Sequence, residues 1–550
     1  MASNMVTTTI PCRGGLNQSS NLQELLTKPG EATVLRNFEC SISGGYRRLS
    51  GYSYLDSVSV PGTGDIQGIK NYHGGIIAVR NGVPYFSEDG SYWLQVNKDI
   101  DNGNETALLA ASVTARSNCD RVMFTQHQNG AIEYLLSTDG VNAPNILSIQ
   151  GTTRANSTYR YREIVEGVSL VGAKYCEMNK GNFVIAGMPS NPSSIYYSSH
   201  ASTDLTSPAD DDKEVPQENF DGSTSGFIGV GDIVMGLKEH REALYVFCKN
   251  SIHKIVGMET GDASVVPITG DIGCLDGFTI QEVGGDLLFL APDGIRTMAK
   301  TDKLDDLELG VISRKVSTSM LSFLRVRDRY QYYATVVRAK NQYRLWAIDK
   351  NNLDSAQQGV IAAFTYDDTK GSFSWDYSTM SGLGVTCVDN SLHKGVERIV
   401  HGNQGGRVCE QESGHLFGTS RIEYQYQSPY VHFGDIGTRK NIHKVTTTSK
   451  PEGPVEMGLE IKYDYQKEEV HQPLIYPMIP LSQPALFGDP LVVFGNSFIL
   501  FGTRDIPDTG IYTEGSGFTV SFRVVSLDLI DDHPFDIQSL QIDLTGGGKI

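Results

Sequence analysis

The stretch GIKNYHGGIIAVRNGVPYFSEDGSYWLQV (68–96) reads as three or four short strands and the turns between them. Apolar and β-branched residues run for four to seven positions. The runs are then broken at His73-Gly74-Gly75, Asn81-Gly82 and Asp89-Gly90. Asx-Gly pairs are what a tight hairpin selects, because both central residues of its turn take positive φ. The expectation is an antiparallel unit of about four strands.

Working outward, the unit recurs. RVMFTQHQNGAIEYLLSTDG (121–140), YCEMNKGNFVIAGMPSNPSSIYYSS (175–199), IVMGLKEHREALYVFCKNSIHKIVG (233–257) and IQEVGGDLLFLAPDGIRTMAK (280–300) repeat the grammar of strand, turn, apolar strand, turn, strand. Looser copies follow in YQYYATVVRAKNQYRLWAIDK (330–350) with GVIAAFTYDDTKGSFSWDYS (359–378), and in GVTCVDNSLHKGVERIVHGNQGGRVCEQE (384–412). The period of roughly 45–55 residues is that of four-stranded propeller blades. Related turn strings end in Asp89-Gly90, Asp139-Gly140 and Asp293-Gly294. A pair of β-sandwiches would also show short strands and Asp-Gly turns, but it would use fewer such units. Helical periodicity is confined to 21–26 and 317–325.

The pattern changes near Thr419. Alternation in 519–524 and 537–544 predicts half-buried antiparallel strands, and a Pro-rich excursion separates them from the first C-terminal strands. The expected class is all-β: an N-terminal arm and first strands (1–55), a β-propeller (56–418) and a C-terminal, sandwich-like β-domain (419–550).

Composition narrows the function. The chain has 550 residues, with 46 basic against 64 acidic side chains and a net charge of −18, which opposes general nucleic-acid or basic membrane-surface binding. The most apolar run, 491–501, is too short and too interrupted to span a bilayer. No basic-then-apolar leader opens the sequence. The eight cysteines are widely spaced with no C-x-x-C, which predicts reduced, buried thiols and synthesis in a cytoplasm.

Motifs for chemistry are sparse. Gly222-Ser223-Thr224-Ser225-Gly226 has Thr where a hydrolase elbow needs Ser. Gly229-Val230-Gly231 and Gly546-Gly547-Gly548-Lys549 lack the context of a phosphate cradle, and the twelve histidines include no H-x-x-x-H pair on a helix. The string 99–105 (DIDNGNE) is rich in oxygen ligands but lacks EF-hand spacing, so it reads as a solvated hairpin loop. No catalytic, cofactor or metal residue is expected. Acidic runs at Asp210, Asp211, Asp212 and Glu214, and at Asp305, Asp306 and Glu308, read as solvated loops; facing a common channel, they would repel a duplex from its wall.

Two resemblances bear on identity. Ser87-Glu88-Asp89-Gly90-Ser91-Tyr92-Trp93 resembles the Asp-box turn of sialidase-type propellers, one residue short, which speaks to fold and not to activity. The string LRNFECSISGGYRRLSGY (35–52) resembles the N-terminal signature of tail nozzle proteins of short-tailed bacteriophages, through Asn37, Gly44, Gly45, Tyr46, Arg47, Arg48, Gly51 and Tyr52. The stretches 195–205, 226–257 and 271–301 are similar to that family's middle region, and Gly546-Gly547-Gly548-Lys549 to its end. The resemblance implies a non-enzymatic virion protein: a hexameric ring with an axial channel that closes the distal tail, retains packaged DNA and lets it pass on ejection. Its partners would be a tail adaptor and fibres or spikes, with DNA passing unbound and no cofactor. Six copies at −18 each would carry −108, which suits a conduit. The alternative is a carbohydrate-binding or glycoside-hydrolysing propeller of the virion, with Arg, Asp and aromatics around its axis.

Overall fold

A computed structural model describes residues 5–549 except 43, 56–57, 97–116, 130–131, 151–157, 165–169, 200–219, 221–224, 259–261, 299–310, 351–357, 368–371, 394, 454, 479–482, 485–498, 501–507 and 528–531. The protein is all-β: a propeller joined to a sandwich.

The hairpins form where the turn residues place them. Tyr72 pairs with Gly75 across His73-Gly74 (φ +47° and +74°), and Arg80 with Val83 across Asn81-Gly82 (φ +53° and +73°). Lys180-Gly181 and Gly284-Gly285 close two more hairpins in the same way. Of the Asp-Gly strings, Pro292-Asp293 also closes a hairpin, pairing Ala291 with Gly294, but the other two behave differently. The Asp89 carboxylate accepts from the Ser91 amide (2.9 Å), and Asp139 from the Val141 and Asn142 amides (2.9 and 2.7 Å). These are Asx turns at strand exits rather than two-residue hairpins, because a carboxylate competes for nearby amides where an asparagine-glycine pair simply folds back. In the Asp-box-like string, Trp93 Nε1 donates to the Val58 carbonyl (2.9 Å), pinning a structural turn.

Among the described residues, six sheets of three or four strands, with the leading four strands of a nine-stranded sheet, ring one axis. Their first strands in ring order are Ile66–Tyr72, Met123–Asn129, Tyr175–Asn179, Val234–His240, Gln281–Val283, Tyr330–Val337 and Val385–His393. Adjacent sheets enclose separate apolar clusters, such as Tyr175, Val184, Leu237 and Val246. The last sheet is closed by Tyr52–Tyr54, which pairs with Val408–Gln411, so an N-terminal strand completes the ring.

The sandwich takes strands from both ends of the chain. One sheet holds Val6–Pro11, Phe38–Cys40 and Tyr46–Arg48 beside Thr438–Pro451 and Phe535–Lys549. The other is the far half of the nine-stranded sheet, Gln425–Gln427, Val520–Ser526 and Met457–Tyr463. Val34–Arg36 is the splice: it pairs parallel with Ser372–Ser381 of the propeller and antiparallel with Gln425–Gln427 of the sandwich. Residues 1–55 thus divide between the two units, and one core runs through both, from Leu288 and Leu345 to Phe522 and Ile542. The alternation expected over 537–544 is interrupted: Ile537 and then Leu540, Ile542 and Leu544 face inward, because the ladder skips a residue between Thr448 and Ser449. Val520–Ser526 is more deeply buried than half, because Ser521 on its outer face is covered by Ser428 (2.8 Å) while Arg523 stays partly exposed beside Glu460.

The two expected helices form, at Leu22–Leu26, capped by the Asn21 side chain (2.8 Å to the Glu24 amide), and at Ser317–Leu324. Among the described residues no helix is long and apolar enough to cross a membrane. All eight cysteines are buried and unbridged.

Candidate functional site

Three places concentrate polar side chains: the propeller axis, the joint between propeller and sandwich, and one end of the sandwich.

The first strands bound an axial cavity of about 350 Å³, to which every sheet of the ring contributes. Its charges are paired across neighbouring sheets. Lys70 contacts Asp389 (2.7 Å), whose other oxygen accepts from the Asn71 amide (3.0 Å) and side chain (3.1 Å). Lys238 contacts Glu177 (3.0 Å), and this partner holds the lysine's pKa above its ordinary value. At the side of the cavity Arg121 reaches Asp276 (2.7 Å) and lies 4.3 Å over the Phe278 ring, near Tyr333. Carboxylates held this way stitch sheet to sheet, and Asp389 and Glu177 would each have to lose a lysine before serving as a base. The volume matches a small-molecule pocket and is far below what a duplex needs.

The joint is built from the 35–52 stretch. Asn37 sits at φ +55°, with Nδ2 donating to the Glu423 carbonyl (2.7 Å) and Oδ1 accepting from the Ser381 amide (2.8 Å), so it ties sandwich to propeller. Tyr46 is fully buried against Tyr426 and donates to the Gly30 carbonyl (2.7 Å). Gly51 runs so close to Leu416 that an added Cβ would lie 2.0 Å from its carbonyl oxygen. Tyr52 stacks on Phe417. Arg48 is wholly buried, donates to the His415 carbonyl (2.8 Å), and has its pKa lowered by that burial.

An ionic hub anchors the same joint. Glu39, 2% exposed, accepts from Arg47 (3.0 Å), Lys340 (2.6 Å), Gln342 (3.0 Å) and Arg344 (3.1 Å). Glu412 meets Arg344 (2.6 Å) and Lys340 (2.5 Å). Burial pushes the Glu412 pKa up, but the two cations win and bring it to about 2. Arg47 also grips Glu452 through two nitrogens (2.9 and 3.0 Å). Nearby, burial outweighs Arg47 and raises the Asp536 carboxyl to about 6.

The sandwich end carries an unusual backbone. Asp464, Tyr465 and Gln466 take φ of +48°, +58° and +58° in succession, a left-handed turn with no glycine. Each such residue costs about 1–2 kcal/mol. The turn is clamped: Asp464 Oδ1 accepts from the Phe518 and Thr519 amides (2.8 Å each), and Gln472 bonds both the amide and the carbonyl of Tyr463 (2.9 and 3.0 Å). Tyr465 is thereby held 4.2 Å, ring to ring, from Tyr430.

Asp210, Asp211, Asp212, Glu214, Asp305, Asp306 and Glu308 lie outside the described residues, as does the 99–105 string. The remaining features escape sequence reasoning because Glu39, Arg344 and Glu412 are far apart in the chain, and nothing local marks Tyr465 as left-handed.

No family model and no curated protein matches the chain. Among solved structures it is similar to an exo-β-1,3-galactanase from Phanerochaete chrysosporium (8% identity, 90% of this chain and 100% of that chain, TM-score 0.25). It is also similar to Kluyveromyces lactis Hsv2p (11%, 63% and 97%, 0.29) and to the AfRom2 CNH domain (9%, 66% and 99%, 0.35). At these scores none carries an argument, and the propeller rests on the chain's own strand pairing.

Proposed function

We propose that this chain is a structural subunit of the tail nozzle of a short-tailed bacteriophage, a virion protein without catalytic activity. The observation that supports this most is the placing of the 35–52 stretch. The residues through which the chain resembles nozzle proteins are those that splice propeller to sandwich and close the last sheet. Such a signature serves architecture, as befits a protein that must hold shape under load. The axial cavity of the propeller is too small for DNA, so in the proposed hexamer the duplex would run between subunits, past acidic surfaces that do not retain it. Adaptor and fibres would dock on outward loops.

The test is the copy number of the chain in purified particles, by quantitative mass spectrometry against the portal protein. Half the portal's abundance fits six copies below a twelve-fold portal, and absence from the particle rejects the proposal. The second reading, a glycan-active propeller, draws on the axial cavity, where Arg338, Asp389, Phe278 and Tyr333 supply the side-chain types it requires. It predicts saccharide binding by the whole chain that is lost in Asp389→Asn.

A further inference from the structure

Three loops meet at one end of the sandwich. Val431 pairs with Val520, Lys440 Nζ reaches the Phe518 carbonyl (3.2 Å), and the Asp464 clamp joins the 464–472 loop to the same segment. At the crest, Tyr465 is 47% exposed and its ring lies tilted by 32° against that of Tyr430. Gln466, Lys467, Glu468 and Glu469 stand exposed around it.

The left-handed turn is the informative feature. In His73-Gly74, Asn81-Gly82 and Lys180-Gly181 a glycine takes half of the strain, and the Arg241-Glu242 hairpin (φ +48° and +61°) holds two left-handed residues without one. At 464–466 three residues in succession do so, and a carboxylate clamp and a glutamine brace hold the strain in place. Strain that the surroundings over-determine points to function at the residue so positioned, and that residue is an exposed tyrosine whose ring direction is fixed by its backbone and its neighbour. A pre-set aromatic face loses little freedom when a ligand settles on it. An aromatic face with a polar rim fits a pyranose, whose C–H face is apolar and whose edge carries hydroxyls.

We propose that Tyr465 and Tyr430 form a saccharide-binding platform on the sandwich, with Gln466 and its charged neighbours meeting the sugar hydroxyls. This stands independently of the nozzle reading and of the axial cavity.

The experiment applies the full-length chain to an array of bacterial O-antigen, capsular and core oligosaccharides, then titrates the best-bound sugar by saturation-transfer NMR. Tyr465→Gly removes the ring while relaxing the backbone, so it keeps the fold. It should weaken binding roughly tenfold, the size of a lost ring contact. Tyr465→Phe should stay within about twofold, because stacking needs no hydroxyl, and Phe227→Ala, which removes an exposed ring from the propeller, should bind as native. Melting temperatures confirm folding of each variant. Absence of any bound saccharide, native-like binding by Tyr465→Gly, or binding abolished by Asp389→Asn and not by Tyr465→Gly would each overturn the proposal. So would Tyr465-dependent capture of a protein with no saccharide bound.

Discussion

Two carboxylates at the joint respond to pH in opposite directions. Glu412 ionises more readily in the folded chain, at about 2, than unfolded. Its contribution is therefore present above the ordinary carboxylate range and lost as pH falls toward 2. Asp536 is raised to about 6, so its folded form prefers the proton. That contribution is present in acid and lost as pH rises through about 6. Asp536→Asn should accordingly stabilise the protein by about 1–2 kcal/mol at pH 8, discounting the shift for partial solvation, and leave stability at pH 4 nearly unchanged; urea unfolding at the two pH values checks this. Glu39→Gln should do the reverse of stabilising. It removes a charge from among Arg47, Lys340 and Arg344, leaving Arg344 under-compensated in a buried site, and should cost about 3–5 kcal/mol in the same assay. At the sandwich end, Gln466→Gly should raise stability by up to about 1 kcal/mol by relieving one left-handed residue.

Among the elements, hairpin existence is legible and register is less so. His73-Gly74 and Asn81-Gly82 announce their turns because local sterics alone decide them. The bulge in Phe535–Lys549 has a trace in sequence, since the inward residues step by two from Phe535 to Ile537, by three to Leu540, and by two again to Ile542 and Leu544. Only the partner strand shows that the step is a skipped pairing and not a change of face. Gly51 marks another close approach: its neighbour Tyr52 begins the strand that shuts the last sheet, and Leu416 lies directly against it. Gly51→Ala should force that strand away from Val408–Gln411, and hydrogen exchange at the amides of 408–411 should quicken while the other sheets stay protected.

For the whole molecule, the consequence of the splice is cooperativity. Deleting residues 1–48 would take three strands from one sandwich sheet and remove Val34–Arg36 between the two halves of the nine-stranded sheet. Loss of cooperative unfolding in both units is expected, not a clean removal of an arm, and calorimetry of the truncated chain tests it. If the nozzle reading is right, replacing Asp210, Asp211, Asp212, Asp305, Asp306 and Glu308 by Lys should slow DNA ejection, measured by dye release from particles; unchanged kinetics would separate those acids from the channel. The sequence by itself determined the all-β class, the repeat of short antiparallel sheets and the buried state of the thiols. Each of these follows from alternation, turn sterics and residue spacing within a few dozen residues. Only the tertiary structure decided that the first fifty residues knit propeller to sandwich, that Glu39 finds Arg344 three hundred positions away, and that Tyr465 is held left-handed against Tyr430. Those outcomes depend on which distant groups are desolvated together, and burial of a charge or a strained backbone is settled by the surroundings that compensate it.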